Sequence, residues 1–174
     1  MGTKKTTVRA SAAKRFAEIE HISITSVTER MGPLALHMYA DAYLGAARRL
    51  PPPSVPFEPV RPFLACHCIE LGLKAFLSLQ GSTMSDLADA SYGHNLEAIL
   101  QKADEKQLKR SVALTDQHRA EIRRASVYYG GKLFEYPAVG EALTGYPRMP
   151  IIDTLFEAAA MLVDSLRQRC TEAK

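Results

Sequence analysis

The sequence predicts an all-α fold, an antiparallel helical bundle of about five main helices, and three observations carry that expectation. Apolar residues recur at helical spacing in several separated segments. One segment, from Pro62 to Gln80, is apolar on almost every side. Strand signals are scarce, with no convincing run of alternating β-branched residues and no Asn-Gly or Asp-Gly hairpin turn. The chain has 174 residues, of which 47% are hydrophobic and 24% charged, proportions that exclude a disordered polymer. A chain of this length can hide roughly 70% of its unfolded surface around one core. The longest apolar run near its end, Leu155 to Val163, is broken by Glu157 and falls short of the ~20 residues that a span requires. No membrane partner is expected.

Taken in order, residues 1–32 read as a basic arm and a partly helical lead-in. Lys4, Lys5, Arg9, Lys14 and Arg15 precede the first acid, and Val8, Ala12, Phe16 and Ile19 bring in helical spacing. No apolar stretch follows the early lysines, so a secretory signal is not expected, although Met1 to Thr6 fits the loose letters of a myristoylation site. Residues 33–170 read as one helical domain. Pro33 opens a helix with Leu36, Tyr39, Tyr43, Ala47 and Leu50 on one face. Residues 51–62 then hold Pro51, Pro52, Pro53, Pro56, Pro59 and Pro62, which cannot be helix interior and predict an extended connector. The next helix starts near Pro62 and runs to Gln80, with Gly81 placed to end it, a length of about 28 Å at 1.5 Å per residue. Its nearly complete apolar girth belongs at the centre of a bundle.

A short helical turn is expected at Ser85 to Ala90. Asn95 stands at an N-cap position before Leu96, Ile99, Leu100 and Ala103, and Thr115 caps a helix whose stripe is His118, Ile122, Ala125 and Tyr129. Gly130-Gly131 ends that helix. Pro150 and Asp153 mark the start of the last one, carried by Ile152, Leu155, Ala159, Leu162 and Leu166.

Three groups of residues stand out chemically. At 100° per residue, His67, Glu70, Lys74 and Ser78 fall within about 80° of one another on the central helix. Glu70 and Lys74 form an i, i+4 pair in the favourable order. Such a stripe is a solvated face, the wall of a cleft, or a closed internal network, and the residues alone leave all three open. In the second group, Tyr92-Gly93-His94-Asn95-Leu96 places His94 beside the N–H groups of a helix start, which attract anions, and a neutral imidazole there can act as acid or base. His94 and Asn95 as simple caps is the competing reading. The third group is Arg119, Arg123 and Arg124, with Lys109 and Arg110 nearby, which suits phosphates or forms a solvated face.

Cys66, Cys68 and Cys170 are an odd number without a disulfide framework, which suggests a reducing, cytoplasmic setting. Residues two apart on a helix point about 200° from each other, so Cys66-His67-Cys68 is read as buried packing and no metal is expected. No Walker loop, G-x-G-x-x-G, H-E-x-x-H, G-x-S-x-G or C-x-x-C is present, and no cofactor is expected. The net charge of +3 is too slight to argue for nucleic acid.

Glu70-Leu71-Gly72-Leu73-Lys74-Ala75-Phe76-Leu77, then Gly81, then Gly93-His94-Asn95-Leu96, resembles the E-L-x-L-K-x-x-L … G-H-x-L pattern of HEPN-like bacterial proteins (higher eukaryotes and prokaryotes nucleotide-binding). Tyr128-Tyr129-Gly130-Gly131-Lys132-Leu133-Phe134-Glu135-Tyr136-Pro137 is similar to the tyrosine helix end and aromatic-Tyr-Pro loop of that family. The resemblance spans roughly Pro33 to Leu166. It implies a helical bundle, commonly dimeric, working in RNA cleavage, toxin–antitoxin pairs or phage defence. Cleaving members carry an R-x4-6-H motif, whose letters Arg61 and His67 fit as the only catalytic candidates. Arg61, however, opens the buried helix about 120° around from His67, whereas the family's motif belongs to a later helix, so the usual ribonuclease activity is not expected. The expected ligand is a nucleotide or RNA, with Lys74 and His94 toward phosphate, Glu70 orienting them, and Asn95 and Tyr129 lining the same cleft. The alternative is a non-catalytic module, a homodimer or the partner of a small protein, that uses the stripe as an interface.

Overall fold

The computed structural model describes residues 31–51, 58–89, 92–136, 140, 146 and 148–173. The expected basic arm through residue 30, the middle of the connector, Ala90 and Pro137 lie outside the described residues. Among the described residues six α-helices follow one another: α1 (Pro33–Arg49), α2 (Val60–Leu79), α3 (Met84–Ala88), α4 (Leu96–Glu105), α5 (Asp116–Gly130) and α6 (Ile152–Glu172). A 3-10 turn, Leu108–Arg110, joins α4 to α5, and no strand occurs among the described residues.

The fold is organised around α2. Its nearly all-round apolar surface packs against α1, α4, α5 and α6, and Ala65, Cys66, Cys68, Ile69, Leu73 and Ala75 are completely buried. By length and composition α2 could also cross a membrane, but 61% of its apolar window is buried inside this fold. Gly72 permits the close approach of α6, because a Cβ there would lie 3.1 Å from the Leu162 Cβ. The helix begins at Val60, two residues before the expected Pro62. Glu58 explains the difference: its carboxylate accepts from the N–H groups of Val60 (2.7 Å) and Arg61 (3.0 Å), and proline is tolerated in a first turn. Gly81, at φ 89°, ends the helix in a conformation that favours glycine.

The caps expected at Asn95 and Thr115 are present. Asn95 Oδ1 accepts from the Ala98 N–H, and Thr115 forms a capping box in which the third helical residue is His118. The short helix α3 starts from a Thr83–Asp86 capping box, at Met84 and thus one residue before the expected Ser85.

Helices α4 and α5 are antiparallel, since Asn95 meets Ser126 at one end and Asp104 meets Arg119 at the other. Helices α1 and α6 instead run in the same sense: His37 Nε2 donates to the Val163 carbonyl at 2.7 Å, and Asp41 pairs with Arg167 one turn further along both. The expected antiparallel arrangement therefore does not extend to this pair.

Candidate functional site

Glu70 points from α2 into the core side of the bundle and is 3% exposed. A buried carboxylate must be paired and hydrogen-bonded, and four side chains meet this one. Lys74, one turn along α2, donates from Nζ to Oε1 at 2.7 Å. On Oε2, the Tyr129 hydroxyl from α5 donates at 2.6 Å and His94 Nδ1 at 2.9 Å, while His67 Nδ1 stands 3.7 Å away. Burial alone would raise the Glu70 carboxyl. The His67 imidazole, the Lys74 charge and the Tyr129 hydroxyl outweigh it and hold Glu70 well below the usual carboxylate range. Burial, then the Glu70 charge, pushes the Tyr129 phenol far above its ordinary value, so it remains a hydroxyl donor.

The donor logic fixes the histidines. An ionised carboxylate only accepts, so His94 carries its proton on Nδ1. Tyr129 gives its single proton to Glu70, and the 2.6 Å contact between His67 Nδ1 and the Tyr129 oxygen is then a donation from His67. The ring of His67 lies parallel to Phe63 (6.0 Å between centroids) and edge-on to Tyr43 (4.4 Å). A continuous path of hydrogen bonds thus runs from His67 through Tyr129 and Glu70 to His94.

Of the three readings of the polar stripe, Glu70 and Lys74 follow the closed internal network. The network is closed at Glu70, Tyr129 and Lys74, and it opens at His94, whose side chain is 55% exposed. Lys74 has its ammonium engaged by Glu70 and by the Gly93 carbonyl at 3.0 Å, so it holds the carboxylate in place instead of projecting toward a phosphate. Gly93, at φ 30°, supplies the backbone turn that aims this carbonyl inward. No hydrogen bond links the Ser78 side chain to these groups.

His94 borders an open groove of about 490 Å³, with Asn95, Glu97, Ser126 and Val127 around it and Gly130 and Gly131 along one side. The start of α4 offers fewer donors there than the sequence suggests. The Glu97 N–H is taken by the Ser126 hydroxyl and the Ala98 N–H by Asn95, which also accepts from Ser126. Asn95 is therefore both the expected cap and part of the groove.

The remaining candidates separate. The Arg61 guanidinium lies over the Phe156 ring at 5.2 Å, its buried Nε has no hydrogen-bond partner among the described residues, and no bond links it to His67. Each arginine of the α5 cluster faces an acid: Arg119 binds both oxygens of Asp104, Arg124 pairs with Glu121 at 3.1 Å, and Arg123 stands 4.0 Å from Glu97. Cys66, Cys68 and Cys170 are free and buried, and burial pushes the Cys68 thiol up to about 12, so it is an inert packing group. Among the described residues no cluster of His, Cys, Asp and Glu could hold a metal ion.

Sequence reasoning missed Glu121. It is buried on α5, accepts from the Ile151 N–H at 2.8 Å and so anchors the start of α6. Its place one turn after His118 on the buried stripe is the signal that could have found it. His118 itself accepts the Thr115 N–H on Nδ1, leaving Nε2–H to face Glu157 at 3.3 Å.

No known protein family, no curated protein and no solved structure matches this chain.

Proposed function

We propose that this chain is a HEPN-like helical domain that binds a nucleotide or RNA in the groove between the start of α4 and the end of α5. One observation carries the reading: a half-exposed imidazole, His94, is oriented by a buried carboxylate and stands beside apolar Val127. The ring and Val127 offer a surface for a base, and the outward Nε2 accepts from a ribose hydroxyl or, when protonated, donates to phosphate. Glu70, Lys74 and Tyr129 position His94 from behind. The separation of Arg61 from His67 supports a binder without the usual HEPN ribonuclease activity. The resemblance to toxin–antitoxin and defence proteins and the free thiols support a cytoplasmic role in such a system.

The test is an amide-shift titration of labelled protein with adenosine and guanosine monophosphates and a short RNA. Shifts should centre on His94, Asn95 and Val127 and weaken in His94→Ala. Absence of any response in the wild type refutes the proposal. A second reading, a dimeric interaction module, is favoured by Met38 and Tyr39, adjacent on α1 and 62% and 56% exposed. Light scattering across a concentration series decides it, because a mass that stays at one chain removes the homodimer.

A further inference from the structure

We propose that His94 Nε2 is a phosphoryl acceptor, a site of reversible histidine phosphorylation supplied by a small energy-rich donor such as an acyl phosphate or a phosphoramidate. Four histidines lie among the described residues, and three are unsuited. His37 is buried with Nε2 on the Val163 carbonyl, His118 has both ring nitrogens engaged, and His67 is held between Phe63 and Tyr43. His94 differs. Its Nδ1–H is fixed on Glu70 at 2.9 Å, its ring meets Tyr129 edge-on at 5.5 Å between centroids, and Nε2 has no partner among the described residues.

This is the geometry of an activated nitrogen nucleophile. A carboxylate that accepts the Nδ1 proton confines the lone pair to Nε2 and stabilises the positive charge that grows on the ring during attack. Glu70 can do so because Lys74 and Tyr129 hold it rigidly in place. The Nε2 lone pair attacks phosphorus and an N–P bond forms. The bond from phosphorus to the donor's oxygen or nitrogen breaks, its electron pair leaving with the carboxylate or ammonia. The proton stays on Nδ1, facing Glu70. The cationic ring then offsets the negative phosphoryl group, and the half-exposed Arg123 stands 4.0 Å from Glu97, which lines the groove. The groove, open and about 490 Å³, admits a donor of this size.

The experiment treats the full chain with phosphoramidate, without nucleotide, beside N-acetylhistidine in the same tube. Acid-labile phosphate is located by peptide mapping and counted by phosphorus NMR. His94 should react at least about tenfold faster than the free amino acid and before any other histidine. His94→Ala should remove the fast phase. Glu70→Gln should bring the rate down to the free value while the His94 tautomer, read by nitrogen NMR, loses its preference for Nδ1–H. Should Glu70→Gln not fold, wild type in urea gives the comparison, and His94 should there react like the others. A His94 rate equal to that of N-acetylhistidine, or prior reaction at another histidine, overturns the proposal. Because no nucleotide is present, that result is separate from failure of the groove to bind one.

Discussion

Replacing Lys74 by Met is the sharpest perturbation of the buried network. The substitution keeps most of the side-chain volume and removes one charge, so packing in α2 is nearly preserved. It deletes the 2.7 Å bond to Glu70 and the 3.0 Å bond to the Gly93 carbonyl. Breaking a buried ion pair from one side costs about 3–5 kcal/mol, because the remaining charge stays desolvated. Glu70 keeps its bonds from Tyr129 and His94, which places the expected loss at the lower end, about 3 kcal/mol. With a urea slope of about 2 kcal/mol per molar, the unfolding midpoint should fall by about 1.5 M at neutral pH. The pH dependence gives a second readout. In the wild type Glu70 titrates below its unfolded value of about 4.3, so its contribution is complete above that value and is lost as pH falls toward the folded one. In Lys74→Met, burial meets less opposition and the carboxyl moves up from its depressed value, so the variant loses less of this contribution on acidification. The gap between the two proteins should therefore narrow as pH falls below about 4.3. A midpoint unchanged from wild type would refute the claim that this pair anchors the core.

Two further perturbations test how the helices are held together. Gly72→Val places methyl groups where Leu162 already stands, so α2 and α6 must separate, and thermal unfolding should show a loss of about 1–3 kcal/mol. Glu121→Gln weakens the charge-assisted bond to the Ile151 N–H and leaves Arg124 without its acid; a loss of about 1–2 kcal/mol is expected in urea, with faster amide exchange in the first turn of α6.

What could be read from the sequence was set by local chemistry. The apolar girth of α2, the Glu70–Lys74 pair one turn apart, and the caps at Asn95 and Thr115 depend on neighbours within four residues, and each was visible in advance. The stripe also named the network's main members, because Glu70, Lys74 and His67 share a face of one helix. What remained hidden depends on partners distant in sequence. Whether Lys74 faced solvent turned on the Gly93 carbonyl, 19 residues away, and the tie from His37 to Val163 joins positions 126 apart. The acids that face Arg119 and Arg123, Asp104 and Glu97, lie on another helix, so their pairing was hidden in the same way. The same-sense packing of α1 and α6 rests on contacts between residues 126 positions apart, which periodicity does not encode.

The proton on one ring nitrogen of His94 decides whether Glu70 holds the imidazole, and long-range nitrogen–proton NMR of the wild type at about pH 8, above the ordinary histidine range, observes it directly. His94 should appear as the Nδ1–H tautomer, with Nε2 unprotonated and facing the groove. A spectrum showing the Nε2–H form, or the mixture of a freely rotating exposed histidine, would contradict the Glu70-held imidazole.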